Sequence, residues 1–84
     1  MKLIVQIPCL DEEETLPATI ADIPRQIDGL DRVEILIIDD GSTDRTAEVA
    51  RECGADHIIR FPQNRGLGHA FKAGFDNALR LGAD

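Results

Sequence analysis

The chain alternates short apolar runs with stretches in which apolar residues recur every three or four positions. Lys2 to Pro8 carries Leu3, Ile4, Val5 and Ile7 and closes on a proline, which predicts a first strand. Leu16, Ile20, Ile23 and Ile27 then follow at helical spacing, the stripe of an amphipathic helix. Pro17 suits its first turn, and Pro24 is expected to end or kink it. After Gly29, the run Val33 to Ile38 predicts a second strand. A second helix is expected from near Thr43, burying Thr46, Val49, Ala50 and Cys53, with Gly54 in the left-handed position beyond its end. His57 to Phe61 reads as a third strand. A loop from Pro62 to Gly68 leads to a third helix with Ala70, Phe71, Gly74, Ala78 and Leu81 along one face.

Strand and helix thus alternate three times, which predicts an α/β fold: a three-layer, Rossmann-like parallel sheet with right-handed crossovers. The expected spatial order is 3-2-1, with Pro8, Asp40 and Phe61 at the same sheet edge. Gly82-Ala83-Asp84 reads as the turn leaving the third helix. Residues 1–84 are therefore expected to be part of a larger domain, interrupted before a fourth strand.

The most informative segment is Ile35-Leu36-Ile37-Ile38-Asp39-Asp40-Gly41-Ser42-Thr43-Asp44. A wholly apolar run that stops on two carboxylates is the pattern of a buried parallel strand delivering acids to its carboxyl end, where open α/β sheets bind ligands. Gly41 permits the turn, and Ser42 or Thr43 can cap the next helix, with Asp44 in its first turn. One carboxylate would be enough to end a strand and start a helix. Two in succession, with a third at Asp44, point to a site.

Composition narrows the function. A net charge of -7 argues against nucleic-acid binding, which requires a basic surface. Cys9 and Cys53 lack any Cys/His spacing suited to zinc and read as small core residues of a reducing compartment. The apolar run at the amino terminus is too short for a signal peptide or a membrane span, so a cytoplasmic location is expected.

Gly66-Leu67-Gly68 invites comparison with phosphate-binding loops. A dinucleotide fingerprint needs a small residue where Phe71 stands and belongs after a first strand, and a Walker loop needs Gly-Lys-Ser/Thr. Neither is present. What remains is a glycine-rich helix start able to bring backbone amides near an anion, with Lys72 one turn further in, or else simply a tight turn. His57 and His69 form no recognisable triad with a serine and an acid.

Three ordered motifs carry a family resemblance: Ile7 to Pro17, Ile38 to Thr46, and Asn64 to Ala70 with Gly74. Together they resemble the successive motifs of family 2 glycosyltransferases, most closely the dolichyl- or polyprenyl-phosphate mannosyl- and glucosyltransferase branch. The resemblance implies the amino-terminal, nucleotide-binding half of a GT-A fold and a nucleotide-diphosphate sugar donor of the GDP-mannose or UDP-glucose type. It also implies inverting hexose transfer, with a polyprenyl phosphate as the acceptor. Pro8, Leu10 and Glu12 would line the nucleoside pocket, together with Asp40 and its neighbour Ile38. A carboxylate can accept from the ring N–H of uracil or the N–H groups of guanine, and an apolar wall can flank the base.

The family usually carries Tyr and Asn where this chain has Leu10 and Asp11, so aromatic packing on the base is missing. The family's metal-binding Asp-x-Asp and catalytic base would fall beyond Asp84. A divalent metal, Mg²⁺ or Mn²⁺, is accordingly implied for a full-length parent, with no metal ligand and no catalytic residue in these 84 residues, which alone are expected to be inactive. In the parent, the cytoplasmic membrane surface is the implied place of action. The rival readings are a non-catalytic nucleotide-binding module and a receiver-like signalling domain. The latter wants an acid after a further strand, whereas the third strand ends Arg60-Phe61-Pro62.

Overall fold

A computed structural model of the chain describes residues 1–63 and 66–83, the segment 67–71 by its backbone alone. The elements run β1 (Lys2–Cys9), α1 (Leu16–Ala21), β2 (Arg32–Asp39), α2 (Thr46–Glu52), β3 (His57–Arg60) and α3 (Leu67–Arg80). The strands form one parallel sheet in the order β1-β2-β3, the order expected from the alternation of elements.

β2 is the centre of the sheet and its most apolar strand, and its side chains divide between two layers. Ile35 and Ile37 face Leu16 and Ile20 of α1 and Ala50 of α2 in one core cluster. Leu36 and Ile38 lie in a second cluster on the opposite face, with Ile4, Ile59 and Phe61 around them. All four β2 residues are fully buried, and each such side chain contributes roughly 1.5–3 kcal/mol of apolar burial. α3 covers the second face, and Gly74 brings its backbone close to Gln6 and Ile38. The three layers follow from this two-sided burial.

The helices are shorter than their apolar stripes. α1 stops at Ala21, so Ile23 is packed against the core from outside the helix, while Ile27 is exposed. The continuation of the stripe to Ile27 is cut because Pro24 cannot supply an N–H to a preceding carbonyl. Pro17 does occupy the first turn. α2 begins at Thr46 rather than near Thr43, and neither Ser42 nor Thr43 caps it. Both are engaged with the loop after β1, and Thr46 N–H instead donates to Asp44 Oδ1 at 2.9 Å. Gly54 takes φ +91° after α2. β3 ends one residue early, at Arg60. In α3, Gly74 is buried as its stripe predicts, and the side chains of His69, Ala70 and Phe71 lie outside the described residues.

Near the amino-terminal ends of the strands, Glu34 gathers two cations and a histidine. Its carboxylate lies 2.8 Å from His57 Nε2, 2.8 Å from an Arg32 guanidinium nitrogen and 3.2 Å from Lys2 Nζ. Lys2 also donates to the Leu81 carbonyl at the end of α3. The His57 contact, helped by the two cations and opposed by burial, holds the Glu34 carboxyl below its ordinary range. Because the folded state lowers this pKa, the contribution is complete above the ordinary value of 4.5 and is lost as pH falls below it. Glu34→Gln should therefore lower stability at neutral pH by roughly 1.5–3 kcal/mol, the worth of hydrogen bonds to a charged group. The deficit should shrink on acidification in urea-unfolding series run from neutral to acidic pH. A constant deficit across that range would contradict it.

Candidate functional site at the carboxyl edge of the sheet

The parallel register sets β1 and β2 ending side by side: Pro8 pairs with Ile38 and Cys9 with Asp39. Asp40 continues β2, its N–H donating to the Cys9 carbonyl at 2.8 Å. Two loops leave this edge, residues 10–15 after β1 and residues 40–45 after β2, and they are hydrogen-bonded to each other. Asp11 N–H donates to Ser42 Oγ at 2.9 Å, Glu12 N–H to Thr46 Oγ1 at 2.9 Å and Glu13 N–H to Asp44 Oδ2 at 3.3 Å. In return Thr43 N–H donates to Asp11 Oδ1 at 2.9 Å. Asp11 has φ +52°, a left-handed conformation that Asp and Asn adopt more readily than other side-chain-bearing residues. Asp in place of the family's usual Asn therefore keeps the backbone this loop needs.

The adjacent acids have different surroundings. Asp39 is fully buried on the face of Ile35 and Ile37, and its Oδ1 accepts the Ser42 N–H at 2.9 Å. Its Oδ2 has no hydrogen-bond partner, and the guanidinium of its register neighbour Arg60 stands 3.6 Å away. This is a charge contact rather than a hydrogen bond. Asp40 is 6% exposed, and its Oδ2 accepts the Gly66 N–H at 3.0 Å. The amide at the start of α3 thus meets an anion, but the anion is this chain's own carboxylate. Lys72, expected one turn in from that start, lines a shallow groove further along α3 with Asp76, Asn77 and Arg80.

The sequence-selected residues fall into three groups. Pro8 and Ile38 are paired neighbours, with Asp40 directly beyond Ile38 at the same edge. Glu12 shares a cleft of about 180 Å³ with Pro8, Cys9, Leu16 and Thr19, and its carboxylate accepts from Thr15 Oγ1 at 2.7 Å. Leu10 is 42% exposed in the loop after β1. Cys9, inside the cleft wall, has its thiol pushed up to about 12, first by burial and then by the nearby Glu12 and Asp39 charges, so it is a packing residue and not a nucleophile. Sequence reasoning missed the structural roles of Asp11, Ser42, Thr46 and Gly66. Strand alternation does carry a signal for Asp39, which falls in phase with the inward-facing Ile35 and Ile37.

A second depression, of about 320 Å³, is lined by Asp11, Glu12, Glu13, Glu14, Thr15 and Asp44. Asp44 accepts from Thr46 Oγ1 as well as from backbone amides, and these bonds, the Thr46 hydroxyl first, lower its pKa. The Asp11 and Asp44 carboxylates are thus committed to holding the loops. Among the described residues no group of three or more His, Cys, Asp or Glu has the arrangement of a metal site, so the donor set here does not fit the divalent ion of the family.

A family model, Glycosyl transferase family 2, matches residues 4–80. The chain belongs to glycosyltransferase family 2. Polyprenol monophosphomannose synthase of Mycolicibacterium smegmatis is 37% identical over 96% of this chain and 31% of its own length. Dolichol-phosphate mannosyltransferase of Pyrococcus furiosus is 37% identical over 93% of this chain and 23% of its own. Among solved structures, glucosyl-3-phosphoglycerate synthase from Mycobacterium tuberculosis, in complex with Mn²⁺, UDP and glucosyl-3-phosphoglycerate, superposes with a TM-score of 0.71 at 29% identity. That match covers 92% of this chain and 29% of the other. The chain therefore spans 23% to 31% of the length of these proteins, and its sheet is part of a GT-A fold.

Proposed function

We propose that the chain forms the nucleotide-binding half of an inverting family 2 glycosyltransferase that moves a hexose from a GDP-mannose or UDP-glucose type donor to a polyprenyl phosphate. The nucleoside would lie against the carboxyl ends of β1 and β2. Asp40 would accept from the ring N–H of uracil or the N–H groups of guanine, with Ile38 and Pro8 flanking the base and Leu10 and Glu12 on the β1 side. The observation that carries this reading is the pairing of Pro8 with Ile38, which brings two motifs distant in sequence to one edge. The prenyl-phosphate mannosyl transferases among the relatives support the acceptor class, and the neighbour holding UDP and Mn²⁺ supports a nucleotide donor.

With a net charge of -7, the chain has little to attract a diphosphate at long range, so affinity must come from directional bonds to the base and from packing. No step of sugar transfer is given to residues of this chain, and none of them is proposed as a ligand of a divalent ion. Among the described residues no helix is long and apolar enough to cross a membrane. A lipid-phosphate acceptor would bring the parent to the cytoplasmic membrane surface.

The test is titration of the ¹⁵N-labelled chain with UDP and with GDP. Shifts should cluster at residues 9–12 and 38–40 for at least one of them. Shifts confined to other parts of the chain, or none with either nucleotide, would overturn the assignment.

A further inference from the structure

We propose that Asp11 is a positioning residue for the nucleotide site, its left-handed main chain and its carboxylate together setting where Leu10 and Glu12 stand relative to the end of β2. This rests on the nucleotide reading above. Leu10 and Glu12 are the two chain neighbours of Asp11, so the φ and ψ of this one residue decide their relative placement. Its φ of +52° turns the chain where β1 would otherwise run on.

Both peptide planes that flank Asp11 are held from the other loop. The plane shared with Leu10 presents the Asp11 N–H, which donates to Ser42 Oγ at 2.9 Å. The plane shared with Glu12 presents the Glu12 N–H, which donates to Thr46 Oγ1 at 2.9 Å. The side chain adds the return bond: Asp11 Oδ1 accepts the Thr43 N–H at 2.9 Å, with the Thr43 hydroxyl 3.4 Å away. Glu12 and Glu13 cross between the loops by their amides, whereas Asp11 crosses by amide and side chain together. Thr43 follows Asp40 by three residues, so Asp11 joins the two sides of the proposed nucleoside site without being one of its walls.

Residue 11 therefore needs two properties, tolerance of the left-handed region and an acceptor oxygen for the Thr43 amide. Aspartate and asparagine have both, since the asparagine side-chain carbonyl can take the place of Oδ1. Glycine has the first alone. Alanine has neither, because an L-residue without a short polar side chain is penalised at positive φ. The requirement is for an oxygen and not for a charge.

The test compares the unaltered 84-residue chain with Asp11→Asn, Asp11→Gly and Asp11→Ala. Each is titrated with whichever of UDP and GDP the unaltered chain binds, and each is unfolded in urea. Asp11→Asn should bind within about twofold of the unaltered chain. Asp11→Gly, which lacks the acceptor, should bind about fivefold more weakly, and Asp11→Ala, which lacks both properties, at least about tenfold more weakly. In ¹⁵N spectra the Thr43 amide should keep its hydrogen-bonded shift in Asp11→Asn and lose it in the other two variants, and the Leu10 and Glu12 resonances should move with that loss.

Nucleotide binding by Asp11→Gly and Asp11→Ala at the strength of the unaltered chain, with lowered urea midpoints only, would mean that the contact serves folding alone. That result would overturn the positioning role and leave the nucleotide reading intact. A loss in Asp11→Asn equal to that in Asp11→Ala would also overturn it, because the charge and not the acceptor would then be what binding needs. Should Asp11→Ala not fold, Asp11→Asn and Asp11→Gly decide by the same comparison. If the unaltered chain binds neither UDP nor GDP, the nucleotide reading fails and the positioning role with it.

Discussion

Gly74→Val should remove most of the stability of this chain. A Cβ at this position would stand 1.8 Å from Gln6 Oε1 and 2.4 Å from Ile38 Cδ1. The Gln6 amide is the end of a flexible side chain and can turn aside. Ile38 is fully buried in the central strand and can yield only by disturbing Leu36, Ile59 and Phe61 around it. Against this, replacing a mid-helix glycine with alanine recovers up to about 1 kcal/mol of helix propensity, so Gly74→Ala should show a net loss of roughly 1–2 kcal/mol. Valine recovers less propensity and adds two methyl groups, for an expected loss of roughly 3 kcal/mol. A chain of 84 residues has little stability in reserve, about 5 kcal/mol at the lower end of the usual range. Urea unfolding followed by circular dichroism measures this directly, and an unchanged midpoint for the valine variant would mean that α3 does not approach the sheet so closely.

Substitution of the two adjacent acids should give opposite phenotypes. Asp39→Ala removes the acceptor of the buried Ser42 N–H and the counter-charge of Arg60, and should cost roughly 1.5–3 kcal/mol of folding stability. Asp40→Asn keeps one carbonyl oxygen for the Gly66 N–H and replaces the other with a donor. Stability should then change by less than about 1 kcal/mol, while nucleotide affinity falls by roughly 1–3 kcal/mol because a base N–H would face an amide N–H. Urea midpoints and nucleotide titrations on the same two proteins separate the effects. Equal destabilisation by both variants, or unaltered nucleotide affinity in Asp40→Asn, would remove the division between them.

That division was only half legible in the sequence. The pair Asp39-Asp40 stood out because it ends an uninterrupted apolar run, and β2, its parallel neighbours and the shared edge of Pro8 and Asp40 followed from the alternation of strands and helices. The direction of each carboxylate required β3 and the start of α3, since Arg60 and Gly66 are remote in sequence from the acids they meet. Helix extent was over-read for the same reason. The spacing from Leu16 to Ile27 satisfies a helical period throughout, but only Leu16 and Ile20 reach the core from within α1. Ser42 and Thr43 look like caps by local rule, and tertiary contacts take them instead: Ser42 Oγ accepts the Asp11 amide and the Thr43 amide donates to the Asp11 carboxylate. The acids at 11–14 read as a charged loop because nothing local indicates that Asp11 would take a left-handed conformation and bond across to Thr43.

The bonding between the loops after β1 and β2 bears on the kinetics of capture. Loop ordering is among the main entropic costs of binding a small ligand. Here backbone amides of residues 11, 12, 13 and 43 are already engaged before any ligand arrives, so that ordering is completed during folding. Association with this edge should accordingly proceed as a single bimolecular step, without a slower rearrangement behind it, and leave differences between nucleotides to their rates of departure.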